Sequence, residues 1–341
     1  MNSLHFFFIK YIALGSRLLE IVTVIIVNWN GKKFIQKCLE GLRNQTFHRF
    51  STVIVDNGSR DGSSEFISRN FPEIKLINLS DNLGFCVANN IAINSVNAKY
   101  IALLNNDAIP HPYWLAHLMS AMESHPEVGL AASKILYYDR REIIDRAGDG
   151  YTRAGAGLLR GRGESAEKYD KKEMIFGASA GAAFYRLKML RDIGLFDEDF
   201  FLLYEDVDLN FRAQLKGYEC LYVPEAIVYH LVSRSIGYDS VTSVYYGHRN
   251  LEWAYIKNMP DSLIRKTFCG HVFYDFMSFL YFMFNGKGRV FLRAKWDAVR
   301  GLKKALKKRK LIQNSTKVHA EAIWKLMDKE ALRLRWARRM K

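Results

Sequence analysis

Residues 21–31 read IVTVIIVNWNG. Seven apolar or β-branched residues run without a charge and stop at Asn28. A strand buried on both faces of a parallel sheet has this pattern, since alternation would mark a half-exposed one. Residues 32–44 then show helical spacing at Phe34, Cys38 and Leu42. A second buried strand over residues 51–55 ends at Asp56-Asn57-Gly58-Ser59. Ser63–Asn70 reads as a short helix, 74–79 as a third strand and 86–96 as a third helix. Tyr100–Leu104 is a fourth strand, ending at Asn105-Asn106-Asp107.

Strands alternating with helices predict an α/β fold, a doubly wound, mostly parallel sheet flanked by helices. Ligands bind such sheets beyond the carboxyl ends of the strands. The polar clusters 28–30, 56–61 and 105–107 fall at those ends. Beyond Asp107 the pattern loosens. A helix is expected over 113–124, and loops or a mobile flap over the Gly- and charge-rich residues 139–172. A run of small residues occupies 177–183. A helix follows over 206–215 with Gly217 as its C-cap, then two short strands, 220–223 and 226–229, around Pro224.

The 341 residues are 49% hydrophobic, enough for one large domain or two smaller ones. Four cysteines without a CxxC spacing indicate neither zinc site nor disulfide framework, and fit a reducing cytoplasm. The net charge of +15 is local, because residues 261–341 hold 21 Lys and Arg against 6 Asp and Glu. A neutral body with a basic tail points to anionic membranes or nucleic acid. No nucleic-acid motif is apparent. Residues 1–20 are an apolar extension broken by Lys10 and Arg17, without a cleavage site, so a signal peptide is not expected. No run reaches the roughly 20 apolar residues of a spanning helix. The nearest, residues 267–285, is interrupted by His271 and Asp275 and reads as interfacial or buried.

Asp107 at a strand end suits Mg²⁺ or Mn²⁺ bridging two phosphates, because hard ions want oxygen and Mg²⁺ often takes one or two protein ligands. The plain alternative is a turn. Tyr204-Glu205-Asp206-Val207-Asp208 clusters three carboxylates at a helix start after an apolar stretch. That setting raises a carboxylate toward base function, although favouring the helix dipole explains it too. Asp208 pairs with Arg212 four residues on, leaving Glu205 and Asp206 for the site. His230 closes an apolar strand and gains weight only if it shares a cleft with Asp107. Arg234 suits phosphate oxygens. Asp56 suits the imide N–H of uracil or thymine. Its alternative, like that of Asn82-Leu83-Gly84-Phe85, is a turn.

Together these segments resemble glycosyltransferase family 2 with its GT-A fold. The residues that carry the resemblance are VIIVNWNG (24–31), VDNGSRDGS (55–63), NLGFCVANNIAI (82–93), LLNND (103–107), GLFD (194–197), YEDVD (204–208) with Arg212, and Tyr229-His230. They span residues 21–255 and look closest to the rhamnosyltransferase-like branch. The resemblance implies an inverting, metal-dependent transferase with Mg²⁺ or Mn²⁺ on Asp107 and His230. It implies Asp206 as base beside Glu205, and donor contacts from Asn28, Asn30, Asp56, Asn57, Gly84, Asn90 and Asn106. Asn105 and Asn89 stand where many members carry Asp and Arg. The implied donor is dTDP-L-rhamnose, with UDP-galactose, UDP-glucose or a UDP-N-acetylhexosamine as alternatives. The implied acceptor is a lipid-linked saccharide in surface polysaccharide synthesis. A non-catalytic nucleotide-sugar- or nucleic-acid-binding protein is the rival class.

Residues 256–341 are expected as a basic amphipathic helical extension. Phe291, Ala294, Ala298, Leu302 and Ala305 share one helical face, and Ile323, Met327, Ala331 and Leu334 share another. Such helices lie on anionic membranes, which places the protein peripherally on the cytoplasmic side of the inner membrane. The alternative is a solvated hairpin packed on the body.

Overall fold

A computed structural model describes residues 21–231 and 239–329. The readings for residues 1–20, Arg234, Ala331 and Leu334 lie outside these. β1 (Val22–Asn28) is followed by α1 (Lys32–Arg43), β2 (Phe50–Asn57), α2 (Ser63–Asn70), β3 (Lys75–Leu79), α3 (Gly84–Asn94) and β4 (Tyr100–Leu104). β1 lies between β2 and β4, and β1 to β4 pair in parallel in the order β3-β2-β1-β4. Val24 and Ile26 of β1 pack with Ile35 and Leu39 of α1 on one face. Ile25 faces Cys86 and Ile93 of α3 on the other. The uncharged run of β1 is thus consumed on both sides. The order in which strands are added reverses at β1, with β2 and β3 on one side and β4 on the other, which opens a crevice at the carboxyl ends of β1 and β4.

The second half is mixed. β5 (Ala108–Pro110) and α4 (Trp114–Ser124) lead into the long β6 (Val128–Tyr137). Residues 139–172, expected as loops, instead contain β7 (Ile144–Ala147), β8 (Asp149–Tyr151), β9 (Gly157–Leu159) and a 3₁₀ turn, Ala166–Tyr169. β10 (Glu173–Ile175) and β11 (Ala182–Arg186) follow, and β11 runs antiparallel between β4 and β6. Tight facing pairs such as Ala183 with Ala132 explain its small residues. α5 (Leu187–Ile193) and α6 (Glu205–Leu215) precede β12 (Glu219–His230). The two short strands expected around Pro224 are this one strand, irregular in register between Val223 and Ile227. A proline is tolerated there because a bulge frees its missing N–H from the ladder.

α7 (Val241–Asn258) runs through the expected boundary at residue 255, and the chain turns at Pro260 into α8 (Asp261–Phe284). α9 (Gly288–Arg300), α10 (Leu302–Asn314) and α11 (Ala320–Leu326) complete the extension. Among the described residues no helix is long and apolar enough to cross a membrane. The extension packs on the body. Phe291, Ala294, Ala298 and Ala305, expected to face lipid, are buried, with Trp253 Nε1 of α7 donating to the Ala298 carbonyl at 3.0 Å. Ile323 and Met327 are buried with Tyr151, Phe211 and Tyr255.

Candidate active site

The crevice is built by one polar network. Asn28, fully buried, donates through Nδ2 to Asp56 Oδ2 and Ser63 Oγ, both at 2.9 Å. Its Oδ1 accepts from Asn106 Nδ2 at 2.9 Å. One amide therefore ties the ends of β1, β2 and β4. Gly31 is required beside it, since a Cβ there would stand 2.2 Å from Asn106 Nδ2. Asp56 Oδ1 accepts from the Ser59 amide at 2.9 Å. Asn30, in the left-handed region at φ 51°, accepts from the Arg60 amide at 2.8 Å. Asn57 Nδ2 donates to Asn82 Oδ1 at 2.9 Å and to the Gly84 carbonyl at 3.2 Å. Gly84 has φ 86°, and a Cβ would strike the Phe201 ring at 2.5 Å. Asn90 is not brought to the crevice in the same way. Its amide bridges α3 to the backbone carbonyl and N–H of Phe196, at 2.9 and 3.1 Å.

On the far side, β12 pairs with β5, setting His230 opposite Ala108. The Leu231 amide donates to the Asp107 carbonyl at 2.9 Å. His230 Nε2 lies 3.2 Å from Asp107 Oδ1, and Nδ1 lies 2.8 Å from Asp145 Oδ2. Burial would lower the His230 pKa, but the two carboxylates outweigh it and raise it to about 9. Burial would likewise raise Asp145, but the His230 hydrogen bond and Arg162 hold it below the usual carboxylate range.

The donor set suits a divalent ion. Two cis ligands at octahedral Mg²⁺–ligand lengths stand about 3 Å apart, close to the 3.2 Å between Asp107 Oδ1 and His230 Nε2. A carboxylate fixing the far nitrogen of a ligating histidine is the usual outer partner. A second group, Glu252, His271 and Asp275, lies between α7 and α8. There Lys295 Nζ bridges Glu252 and Asp275, 2.5 and 2.6 Å away, so an ammonium already neutralises it.

β7 joins this side to the carboxylate helix. Next to Asp145, Arg146 Nη1 donates to Asp149 Oδ1 at 3.0 Å and Ser179 Oγ at 3.1 Å, and lies 3.9 Å from Asp206 Oδ2. Asp206 Oδ2 also accepts from the Ala180 amide at 3.3 Å. The adjoining Gly181 carbonyl accepts from the Asn105 amide at 2.9 Å, so the small-residue run spans from Asp206 to the Asp107 loop. At the run's start, Gly177 packs against Asn210, where a Cβ would come within 2.3 Å. Glu205 Oε2 is buried with no hydrogen-bond partner among the described residues. Burial and the neighbouring Asp206 push the Glu205 carboxyl up to about 8. Burial also raises Asp149, with Arg146 opposing and Asp206 adding to the rise.

Every residue of α6 is buried, and apart from Glu205 its charged groups have partners within the fold. Asp208 pairs with Arg212 Nε at 2.9 Å, as the spacing predicts, and with Lys257 Nζ at 2.8 Å. The loop before α6 carries three left-handed non-glycine residues, Phe201, Leu203 and Tyr204. Asn250 of α7 holds it by donating to the carbonyls of Phe200, Leu202 and Leu203 at 2.9, 2.9 and 2.7 Å. The sequence pattern does not single out Asp145, Arg146, Asp149 or Asn250. The available signal was Asp145-Arg146-Ala147-Gly148-Asp149, two carboxylates around an arginine in a stretch read as loop.

A sequence profile described as Glycosyl transferase family 2 matches residues 23–194. The N-acetylglucosaminyl-diphospho-decaprenol L-rhamnosyltransferase of Mycobacterium tuberculosis is 24% identical over 253 residues, covering 68% of this chain and 82% of that protein. An uncharacterized glycosyltransferase of Haemophilus influenzae is 28% identical over 111 residues, 32% of this chain and 34% of its own length. Among solved structures, the Pyrobaculum calidifontis mannosyltransferase PcManGT, in complex with GDP-Man and Mn²⁺, aligns over 92% of this chain and 90% of its own. It does so with a TM-score of 0.54 at 15% identity. GalNAc-T7, with UDP, GalNAc and Mn²⁺, aligns over 70% of this chain and 48% of its own, with a TM-score of 0.56 at 16% identity. The fold is that of GT-A glycosyltransferases.

Proposed function

The chain belongs to glycosyl transferase family 2, and from that premise we propose an inverting, metal-dependent transfer of L-rhamnose from dTDP-rhamnose to a lipid-linked saccharide. The observation that carries the reading is the meeting of Asp107, His230, Asp56 and Asp206 around one crevice, joined through Asn28 and the Asp145-Arg146 pair. Asp56 accepts the imide N–H of the base, with Asn28, Asn30, Asn57, Gly84 and Asn106 shaping the nucleotide's seat. Asp107 and His230 hold Mg²⁺ or Mn²⁺, which supplies positive charge to the departing diphosphate. Asn90 supports the seat from behind.

Asp206 takes the proton of the acceptor hydroxyl. The oxygen then attacks the anomeric carbon from the face opposite the diphosphate, whose bond to that carbon breaks, and the centre inverts. Glu205, pushed toward the neutral form by burial and Asp206, is the poorer base of the adjacent pair. The named specificity of the mycobacterial relative supports rhamnose and a polyprenyl-linked acceptor. That acceptor sits at the anionic surface of the inner membrane.

A thermal-shift panel tests this, with dTDP-rhamnose and UDP-sugars with and without Mn²⁺. Stabilisation by dTDP-rhamnose that requires Mn²⁺ is expected, and stabilisation by a UDP-sugar alone reassigns the donor. Asp206→Asn should cut transfer by roughly 10²–10⁴-fold by this role while keeping that donor-induced shift. Full activity in that variant removes Asp206 as base.

A further inference from the structure

α8 and α9 form an antiparallel hairpin, closed by the Phe282 and Phe291 rings at 5.9 Å and by the Lys295–Asp275 pair at 2.6 Å. The inner faces of this hairpin are satisfied, but the outer face of α8 is apolar. From residue 268 to 284 the only charged side chain besides His271 is Asp275, which Lys295 neutralises. A helix apolar all round belongs in a core or in lipid, yet here one side is open. Phe268, Val272, Phe276 and Met283 fall within about 80° of arc at 100° per residue, and each is roughly half exposed. Phe284 at the end is 88% exposed. At 1.5 Å per residue this strip is about 24 Å long.

The neighbouring face of α9 adds charge. Arg289, Arg293, Trp296 and Arg300 fall within about 60° of arc, with Trp296 65% exposed. Of the three arginines, Arg293 and Arg300 make loose pairs with Asp297, at 3.9 and 3.7 Å, and Arg293 also lies over the Tyr245 ring, 5.7 Å from its centroid. A tryptophan among arginines beside an apolar strip is the composition of a helix lying in a membrane interface. A second copy fits worse, because isologous pairing repeats one patch on both sides, while protein interfaces deplete charge at their cores.

We propose that the outer faces of α8 and α9 seat the protein on an anionic bilayer, with the phenylalanine strip and Trp296 among the acyl chains and the arginines on lipid phosphates. This deepens the reading of a lipid-linked acceptor and rests on it for its purpose. The end of α8 is tethered on the crevice side of the chain through a residue outside the strip. Tyr281 of α8 donates to Asp239 at 2.9 Å, nine residues after His230, which bounds their separation at about 30 Å. The seated face differs from the stripe of Phe291, Ala294 and Ala298, which α7 covers.

Flotation of the full chain with phosphatidylethanolamine–phosphatidylglycerol vesicles, against phosphatidylcholine vesicles, tests the seat. The wild type is expected to float with the anionic vesicles. The double variant Phe276→Glu/Trp296→Glu should lose at least tenfold in affinity. The triple variant Arg289→Gln/Arg293→Gln/Arg300→Gln should lose at least tenfold on anionic vesicles only. All these positions are exposed, and an unchanged melting temperature and donor-induced shift establish that the variants fold. Unchanged flotation of the double variant overturns the proposal. So does a wild type that ignores vesicles but forms a dimer dissolved by the same substitutions in sedimentation velocity. Flotation needs neither donor nor acceptor, so failure of the transferase reading leaves its outcome intact.

Discussion

Asp107 and His230 stand 123 positions apart in sequence and 3.2 Å apart in space. What brings them together is the pairing of β12 with β5, and what orients His230 is Asp145. Removing the charge behind a ligating histidine typically costs 10–100-fold in metal affinity. Asp145→Asn is therefore expected to raise the Mn²⁺ concentration for half-maximal transfer by about 10–100-fold, read by titrating Mn²⁺ into the assay. Glu205 makes a prediction of opposite sign. Its folded pKa lies above its unfolded value, so the folded state holds an extra proton between about pH 4.5 and about 8. Stability should fall as pH rises through that window, and the cost is complete above it. Glu205→Gln removes the cost, so its melting temperature should match the wild type near pH 4 and exceed it by roughly 2–5 °C at pH 8.5. Equal melting curves at both pH values would refute the burial argument. The arrangement of Asp56, Asp107, Asp206 and His230 was legible because each ends a strand or starts a helix. Asp145, Arg146 and Asp149 were not, because their strands are three or four residues long and sit in Gly-rich chain where period-2 patterning has no length to appear.

Among the elements, α7 supports the reaction without approaching it in sequence. Asn250 is fully buried and spends its amide on three carbonyls of the loop that enters α6. Three left-handed residues in four positions cost energy that this clamp offsets. Asn250→Ala should lower kcat by about tenfold or more, with KM for the donor nearly unchanged, because the proposed nucleotide seat lies on β1, β2 and β4. It should also cost about 2–4 kcal/mol of stability by stranding buried carbonyls, measured by denaturant unfolding. A proportional rise in donor KM would argue that the loop serves binding instead. Elements up to β4 were legible to within two residues or so, because strands buried on both faces write uninterrupted apolar runs. β6 was not, since glycine, alanine, serine and lysine dilute it. β11 hides for the same reason, its alanines being set by the close neighbours on each side.

At the scale of the whole molecule, the basic extension is part of the body. Ile323 and Met327 close a cluster with Tyr151, Phe176 and Phe211, directly beneath α6. Ending the chain after residue 314 should expose that cluster. Burial of two such side chains is worth about 1.5–3 kcal/mol each, so a melting temperature lower by several degrees is expected. An unchanged melting temperature would mean that α11 contributes nothing to the fold. The amphipathic periodicity of the extension was legible, but not which stripe the body would claim. α7 takes the stripe of Phe291 and Ala298, and the residues left outside are a different set. That choice depends on where α7 lies, which no local pattern encodes.

The bridge between Thr152 and Asp328, with the Asp328 amide on the Tyr151 carbonyl at 2.9 Å and the Arg153 amide on the Asp328 carbonyl at 3.0 Å, has a bearing on biogenesis. Chains leave the ribosome from the N-terminus, and early segments fold as they emerge. Thr152, which follows β8, is made 176 positions before Asp328, its partner in this isolated bridge. Until then the aromatic cluster beside Tyr151 stays uncovered and open to chaperones. The packing beneath α6 therefore closes only once residues 323–328 have been made, more than 100 positions after α6 itself.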